Sequence, residues 1–104
     1  MDETKKKELY KDLIGTWGET SQLRICVEEM SELTKEICKY LRFKDNSENL
    51  ETTKKNVIEE AADVIICVEQ IKCLFGEDKV DEMIDYKLKR VSKRLDEYKK
   101  NHNK

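Results

Sequence analysis

Residues 57–75 read V-I-E-E-A-A-D-V-I-I-C-V-E-Q-I-K-C-L-F. At about 100° per residue the apolar side chains of this stretch, from Val57 to Phe75, cover most of a helical circumference. Such a helix is expected to be buried on more than one side. It is predicted to run from about Thr52 to Phe75, with Gly76 as its stop signal. Upstream, F-K-D-N-S-E-N-L-E-T-T has the composition of a loop. A preceding helix is predicted from about Trp17 to Arg42, where Leu23, Cys26, Met30, Leu33, Ile37 and Leu41 recur every three or four residues. Thr16 followed by Glu19 fits a capping box at its start. A first helix, about Thr4 to Ile14, is interrupted by the Gly15–Gly18 region. A fourth, about Asp78 to Lys99, carries Val80, Ile84, Leu88, Val91, Leu95 and Tyr98 at helical steps. The expected fold is all-α: a four-helix bundle forming one domain over residues 1–104, with a core at about 15–98 and a polar tail at about 100–104.

Composition agrees and narrows the function. Proline is absent and glycine occurs three times in 104 residues, too few for turn-rich β architecture. Charged residues reach 42% and hydrophobic ones 38%, so the polar faces are large and the core is thin. With 21 basic and 23 acidic residues the formal net charge is −2, which lacks the basic footprint of a nucleic-acid binder. No apolar run is long enough for a bilayer, and M-D-E-T-K-K-K-E-L-Y-K-D has no apolar core of a signal peptide. A cytoplasmic protein is expected. Cys26, Cys38, Cys67 and Cys73 form no C-x-x-C pair and fall mostly on or beside apolar stripes, so buried reduced thiols are expected rather than zinc or disulfides.

Several carboxylates break the pattern. Glu60 falls among Val57, Val64, Cys67 and Ile71, with Asp63 about 60° further round. On the second helix Glu28 points away from the apolar stripe, whereas Glu29 and Glu32 project from its flank, in line with Gln22, Ile25 and Glu36. A buried carboxylate without a partner costs several kcal/mol, and neighbouring carboxylates repel. Either a cation from another helix compensates, or the pairs Glu29/Glu32 and Glu60/Asp63 face one another as an all-oxygen seat for Mg²⁺ or Mn²⁺. The only histidine, His102, lies in the tail. That disfavours a di-iron carboxylate bundle and His-dependent nucleophilic catalysis. An EF-hand loop is absent.

The motifs E-E-M-S-E at 28–32 and E-E-A-A-D at 59–63 resemble the EExxE…ExxD signature of the all-α nucleoside triphosphate pyrophosphohydrolases, the MazG-like superfamily. W-G-E at 17–19 with Gln22, A-D-V-I-I-C-V-E-Q after the second motif and the basic Y-K-L-K-R-V-S-K-R-L extend the resemblance over residues 15–98. It implies Glu29, Glu32, Glu60 and Asp63 as metal ligands, with Glu28 beside Glu29 in the catalytic machinery to orient or deprotonate the attacking water. The implied reaction converts a nucleoside triphosphate to its monophosphate and pyrophosphate with Mg²⁺, for which Mn²⁺ could substitute, in nucleotide-pool sanitation or balancing. Lys39, Lys87 and Arg90 offer cations for the phosphates, or form solvated basic faces. Trp17 offers a platform for a base, or caps the core beside the first helix. Gln22 offers a hydrogen bond to base or sugar, or is an ordinary exposed glutamine. A homodimer, or a tetramer of two dimers, is expected because the third helix is too apolar for one thin bundle to cover. The alternatives are a non-catalytic helical interaction module and a phosphoribosyl-ATP pyrophosphohydrolase.

Overall fold

The computed structural model of the chain describes residues 1–45 and 47–102. It is all-α, with four helices and no strand among the described residues: α1 (Glu3–Trp17), α2 (Glu19–Phe43), α3 (Ser47–Phe75) and α4 (Glu77–His102). The first three belong to one compact unit, Met1–Leu74, and α4 to a second that begins at Phe75.

The helix ends follow from a few local interactions. Asp2 caps α1, its Oδ1 accepting from the Lys5 amide at 2.8 Å. The expected interruption at Gly15 does not occur, since one interior glycine costs a helix only about 1 kcal/mol. Gly18 alone breaks the chain. Its φ of +90° and ψ of 153° lie in a region essentially closed to side chains. Its N–H donates to the Ile14 carbonyl at 2.8 Å while its own carbonyl accepts from Gln22 N at 3.1 Å. One residue therefore closes α1 and opens α2. The expected capping box is corrected accordingly: Thr16 lies inside α1, and α2 has no side-chain cap.

α3 begins at Ser47, about five residues earlier than expected, with the acidic Glu48 in its first turn where the helix dipole favours it. The loop shrinks to a turn at Lys44 and Asp45; its Asn46 lies outside the described residues. α2 and α3, with 25 and 29 residues, are each about 40 Å long at 1.5 Å per residue. α4 continues through the expected tail to His102, whose ring stacks on Tyr98 at 4.0 Å and whose Nδ1 donates to the Tyr98 carbonyl at 2.9 Å. Asn103 and Lys104 lie outside the described residues.

Packing differs most from expectation. Among the described residues the buried side chains are Cys26 and Cys67 with the polar Gln22, Glu36, Thr53 and Gln70. The expected burial of α3 on more than one side is not met: Ile58 is 70% and Ile65 62% exposed. On α2, Met30, Ile37 and Leu41 of the apolar stripe are exposed too. The exposed Cys38 and Cys73 likewise correct the expectation of mostly buried thiols. α1 meets α3 across an open apolar groove of about 610 Å³, with Leu9, Tyr10 and Leu13 opposite Ala62, Ile65 and Ile66.

The two glycines of the first turn region should respond oppositely to alanine. Gly18→Ala is expected to lower stability by about 1–3 kcal/mol, because a Cβ is strained at that φ. Gly15→Ala, inside α1 with nothing within 4 Å of the added Cβ, should raise it by about 0.5–1 kcal/mol. Urea unfolding midpoints compare them; equal effects would contradict the assignment of Gly18 as the sole breaker.

Candidate metal centre

On α2, Gln22, Cys26, Glu29 and Glu36 are spaced by four, three and seven residues and share one face. On α3, Glu60, Asp63, Cys67 and Gln70 follow at steps of three, four and three and likewise share one face. Cys26 Sγ donates to the Cys67 carbonyl at 3.7 Å, and Glu29 meets Glu60 and Asp63. One turn forward on α2 is therefore one turn back on α3, and the helices run antiparallel with these two lines face to face.

One carboxylate oxygen from each of Glu29, Glu60 and Asp63 lies within 4.8 Å of the others. Glu29 and Glu60 are half-buried and Asp63 is exposed. Oε2 of Glu60 is buried and has no hydrogen-bond partner. Among the described residues no lysine or arginine pairs with any of the three. Burial, first of all, pushes the Glu29 carboxyl above its ordinary value; the charge of Asp63 and a hydrogen bond to Glu60, which stabilises the protonated form, add to it. The field reaches one turn further. The Cys67 thiol is pushed up to about 12 by burial, by its hydrogen bond with Cys26, and by the negative charges of Glu29 and Asp63.

The donor set is all oxygen, one oxygen is buried and orphaned, and the group repels itself. A small hard divalent cation relieves all three conditions, so the residues fit Mg²⁺ or Mn²⁺.

The other expected residues are dispersed. Glu32 lies on α2 one turn from Glu29, exposed and outside the trio, and Glu28 is exposed. Trp17 ends α1 and is 62% exposed, so it does not cap the core. Gln22 is buried at 4% exposure, which corrects its reading as an ordinary exposed glutamine. Lys39 pairs with Glu36 at 3.6 Å. Lys87 and Arg90 are exposed on α4, with the Arg90 guanidinium 5.7 Å from the centroid of the Tyr86 ring.

Gln70 and the contact between Cys26 and Cys67 were not expected; Glu36 was placed in line with Glu29, but not as buried. Oε1 of Gln70 and Oε2 of Glu36 are buried without partners. For Cys26, Glu36 and Cys67 the signal is a repeat of four and three residues that runs through polar and apolar positions alike, 22, 26, 29, 33, 36 on α2 and 53, 57, 60, 64, 67, 71 on α3, and Gln70 stands one residue before the last of these. Compared with known proteins, the chain matches no family model, no curated protein and no solved structure.

The raised Glu29 carboxyl has a definite sign for stability. The folded state holds that proton more tightly than the unfolded one, so the favourable contribution is complete below the ordinary value of 4.5 and is lost as pH rises through the folded value. Without metal, Glu29→Gln is expected to stabilise the protein relative to wild type more at about pH 7 than at about pH 4. Urea midpoints at the two pH values check this, and a difference independent of pH would contradict the crowded trio.

Proposed function

We propose that the chain is a Mg²⁺-dependent nucleoside triphosphate pyrophosphohydrolase of the MazG-like type, converting a nucleoside or deoxynucleoside triphosphate and water to the monophosphate and pyrophosphate. The observation that carries this reading is the trio Glu29, Glu60 and Asp63, with ligand oxygens within 4.8 Å across two helices. The motifs E-E-M-S-E and E-E-A-A-D, in which these residues stand, support it by their resemblance to that superfamily.

Glu29, Glu60 and Asp63 would hold Mg²⁺, or Mn²⁺ in its place, and Glu32 joins them by turning its side chain on the same flank of α2. When bound, the ion supplies charge neutralisation for the triphosphate and polarises the α-phosphorus towards in-line attack. Glu28, exposed and next to Glu29, orients the attacking water and accepts its proton. The exposed indole of Trp17 stacks on the base, whereas Gln22, at 4% exposure, is too buried to reach base or sugar. Lys39, on α2, would hold a phosphate oxygen. A homodimer, or a pair of dimers, covers the apolar side chains that one chain leaves in water, Ile58 and Ile65 among them. No helix of the described residues is long and apolar enough to cross a membrane, and a cytoplasmic role in keeping the nucleotide pool clean or balanced fits this chemistry.

The same exposed apolar side chains favour one second reading, a helical interaction module that uses them to bind a partner and needs no catalysis. Phosphoribosyl-ATP is a further substrate compatible with the same carboxylates.

Pyrophosphate release separates these. A panel of nucleoside and deoxynucleoside triphosphates with phosphoribosyl-ATP is assayed with Mg²⁺ and with EDTA, wild type beside Glu60→Gln. Release is expected to need Mg²⁺ and to fall by about 100-fold or more in the variant, which keeps its volume and loses a ligand charge. Undiminished turnover in Glu60→Gln contradicts the assignment. No release from any member favours the interaction module.

A further inference from the structure

α4 forms a unit of its own, and none of its residues is buried. Its side chains Ile84, Leu88, Val91, Leu95 and Tyr98 recur at steps of four, three, four and three, the spacing of a seam between packed helices. All five are exposed, from 47% at Ile84 to 62% at Leu88. An amphipathic helix finds cover by laying such a stripe into an apolar groove. The first unit holds one: the open groove of about 610 Å³ between α1 and α3, lined by Leu9, Leu13, Ala62, Ile65 and Ile66. The lengths agree. At 1.5 Å per residue the stripe from Ile84 to Tyr98 spans about 21 Å, and the α1 wall of the groove, from Met1 to Leu13, about 18 Å. The charges agree as well. Residues 1–74 carry 12 basic and 16 acidic side chains, net −4, whereas residues 86–102 carry seven basic and two acidic, net +5. Lys87 and Arg94 each precede a leucine of the stripe, and Glu59 and Glu69 stand three residues outside Ala62 and Ile66 on the α3 wall.

We propose that α4 of one chain docks its apolar stripe into the α1–α3 groove of a second copy, and that the exchange is reciprocal, giving a two-fold dimer with two identical contacts. Helical hairpins that close within one chain use about two to five linking residues, and Gly76 alone joins α3 to α4. That selects a second copy over the chain's own helix. Each groove then gains a fourth helix beside α1, α2 and α3, so that two chains together complete each four-helix bundle. Exchange of an identical element is a low-cost route to a dimer, since both contacts follow from one complementarity. The inference rests on the dimer put forward above and names the helix that forms it; it does not depend on the hydrolase activity.

Isotope-filtered NOE spectroscopy on isotope-labelled and unlabelled wild-type chains, refolded together in equal amounts, reads contacts between copies alone. Cross-peaks are expected between the methyl groups of Leu88, Val91 and Leu95 and those of Leu9, Leu13 and Ile65. Sedimentation of two variants gives a second reading. Leu88→Glu breaks the stripe and Ile65→Glu the groove, both at exposed positions. Each alone is expected to sediment as a monomer at a concentration where wild type is a dimer. Their mixture keeps one intact stripe opposite one intact groove and should regain a dimer, weaker than that of wild type. A monomeric wild type overturns the proposal together with the dimer reading. A dimer that survives either single variant, or whose filtered cross-peaks lie elsewhere, overturns the exchange and leaves the dimer standing. Stripe-to-groove cross-peaks found only within one chain overturn it too. The wild-type spectrum decides the question if a variant fails to fold, and Mg²⁺-dependent pyrophosphate release reads the hydrolase proposal separately.

Discussion

Three carboxylates, Glu29, Glu60 and Asp63, converge across two antiparallel helices with no cation paired to them among the described residues. Glu29 and Glu60 are drawn partly out of water, and the charges of the three raise one another's energy. Folding of α2 against α3 therefore works against an electrostatic cost at the centre of the contact. The raised carboxyl of Glu29 and the orphaned Oε2 of Glu60 are two expressions of it. A group destabilised in this way in the free protein has a driving force to bind a cation, and the ligand's binding energy then becomes stability of the folded state.

The same constraint orders the rest of the chain. If the contact between α2 and α3 is polar, apolar burial must be found elsewhere. The first unit finds some between α1 and α3, where the groove stays open. Most of the large aliphatic side chains remain in water in the single chain, Ile58, Ile65 and Leu41 among them. A chain built with its carboxylates inward and much of its aliphatic surface outward is suited to association. This is the physical content of the proposed dimer: the second copy supplies the apolar core that the polar seam displaces.

The helices were legible because nothing in the chain competes with them: no proline, and glycines only at or near the breaks. The anomaly at Glu60 was legible as well, since a carboxylate among Val57, Val64 and Cys67 stands out against an apolar ground. On α2 the inward face was harder to see. Its line, Gln22, Cys26, Glu29, Leu33, Glu36, is mostly polar, and a search for apolar periodicity settles on the neighbouring stripe through Met30, Ile37 and Leu41, which lies exposed. The register that pairs Cys26 with Cys67 depends on how two long helices slide past each other, and no local signal encodes it. Gly18 and Gly15 illustrate the same limit at short range: both are glycines, and only backbone geometry distinguishes the breaker from the bystander.

The central claim is that the carboxylate trio is a seat for a hard divalent cation. Anomalous diffraction at the manganese edge, from crystals grown with Mn²⁺, tests it without any assumption about substrate. The account predicts a peak between α2 and α3 within bonding distance of Glu29, Glu60 and Asp63. A well-ordered trio with no peak between its oxygens, or manganese bound only at other carboxylates, would contradict it.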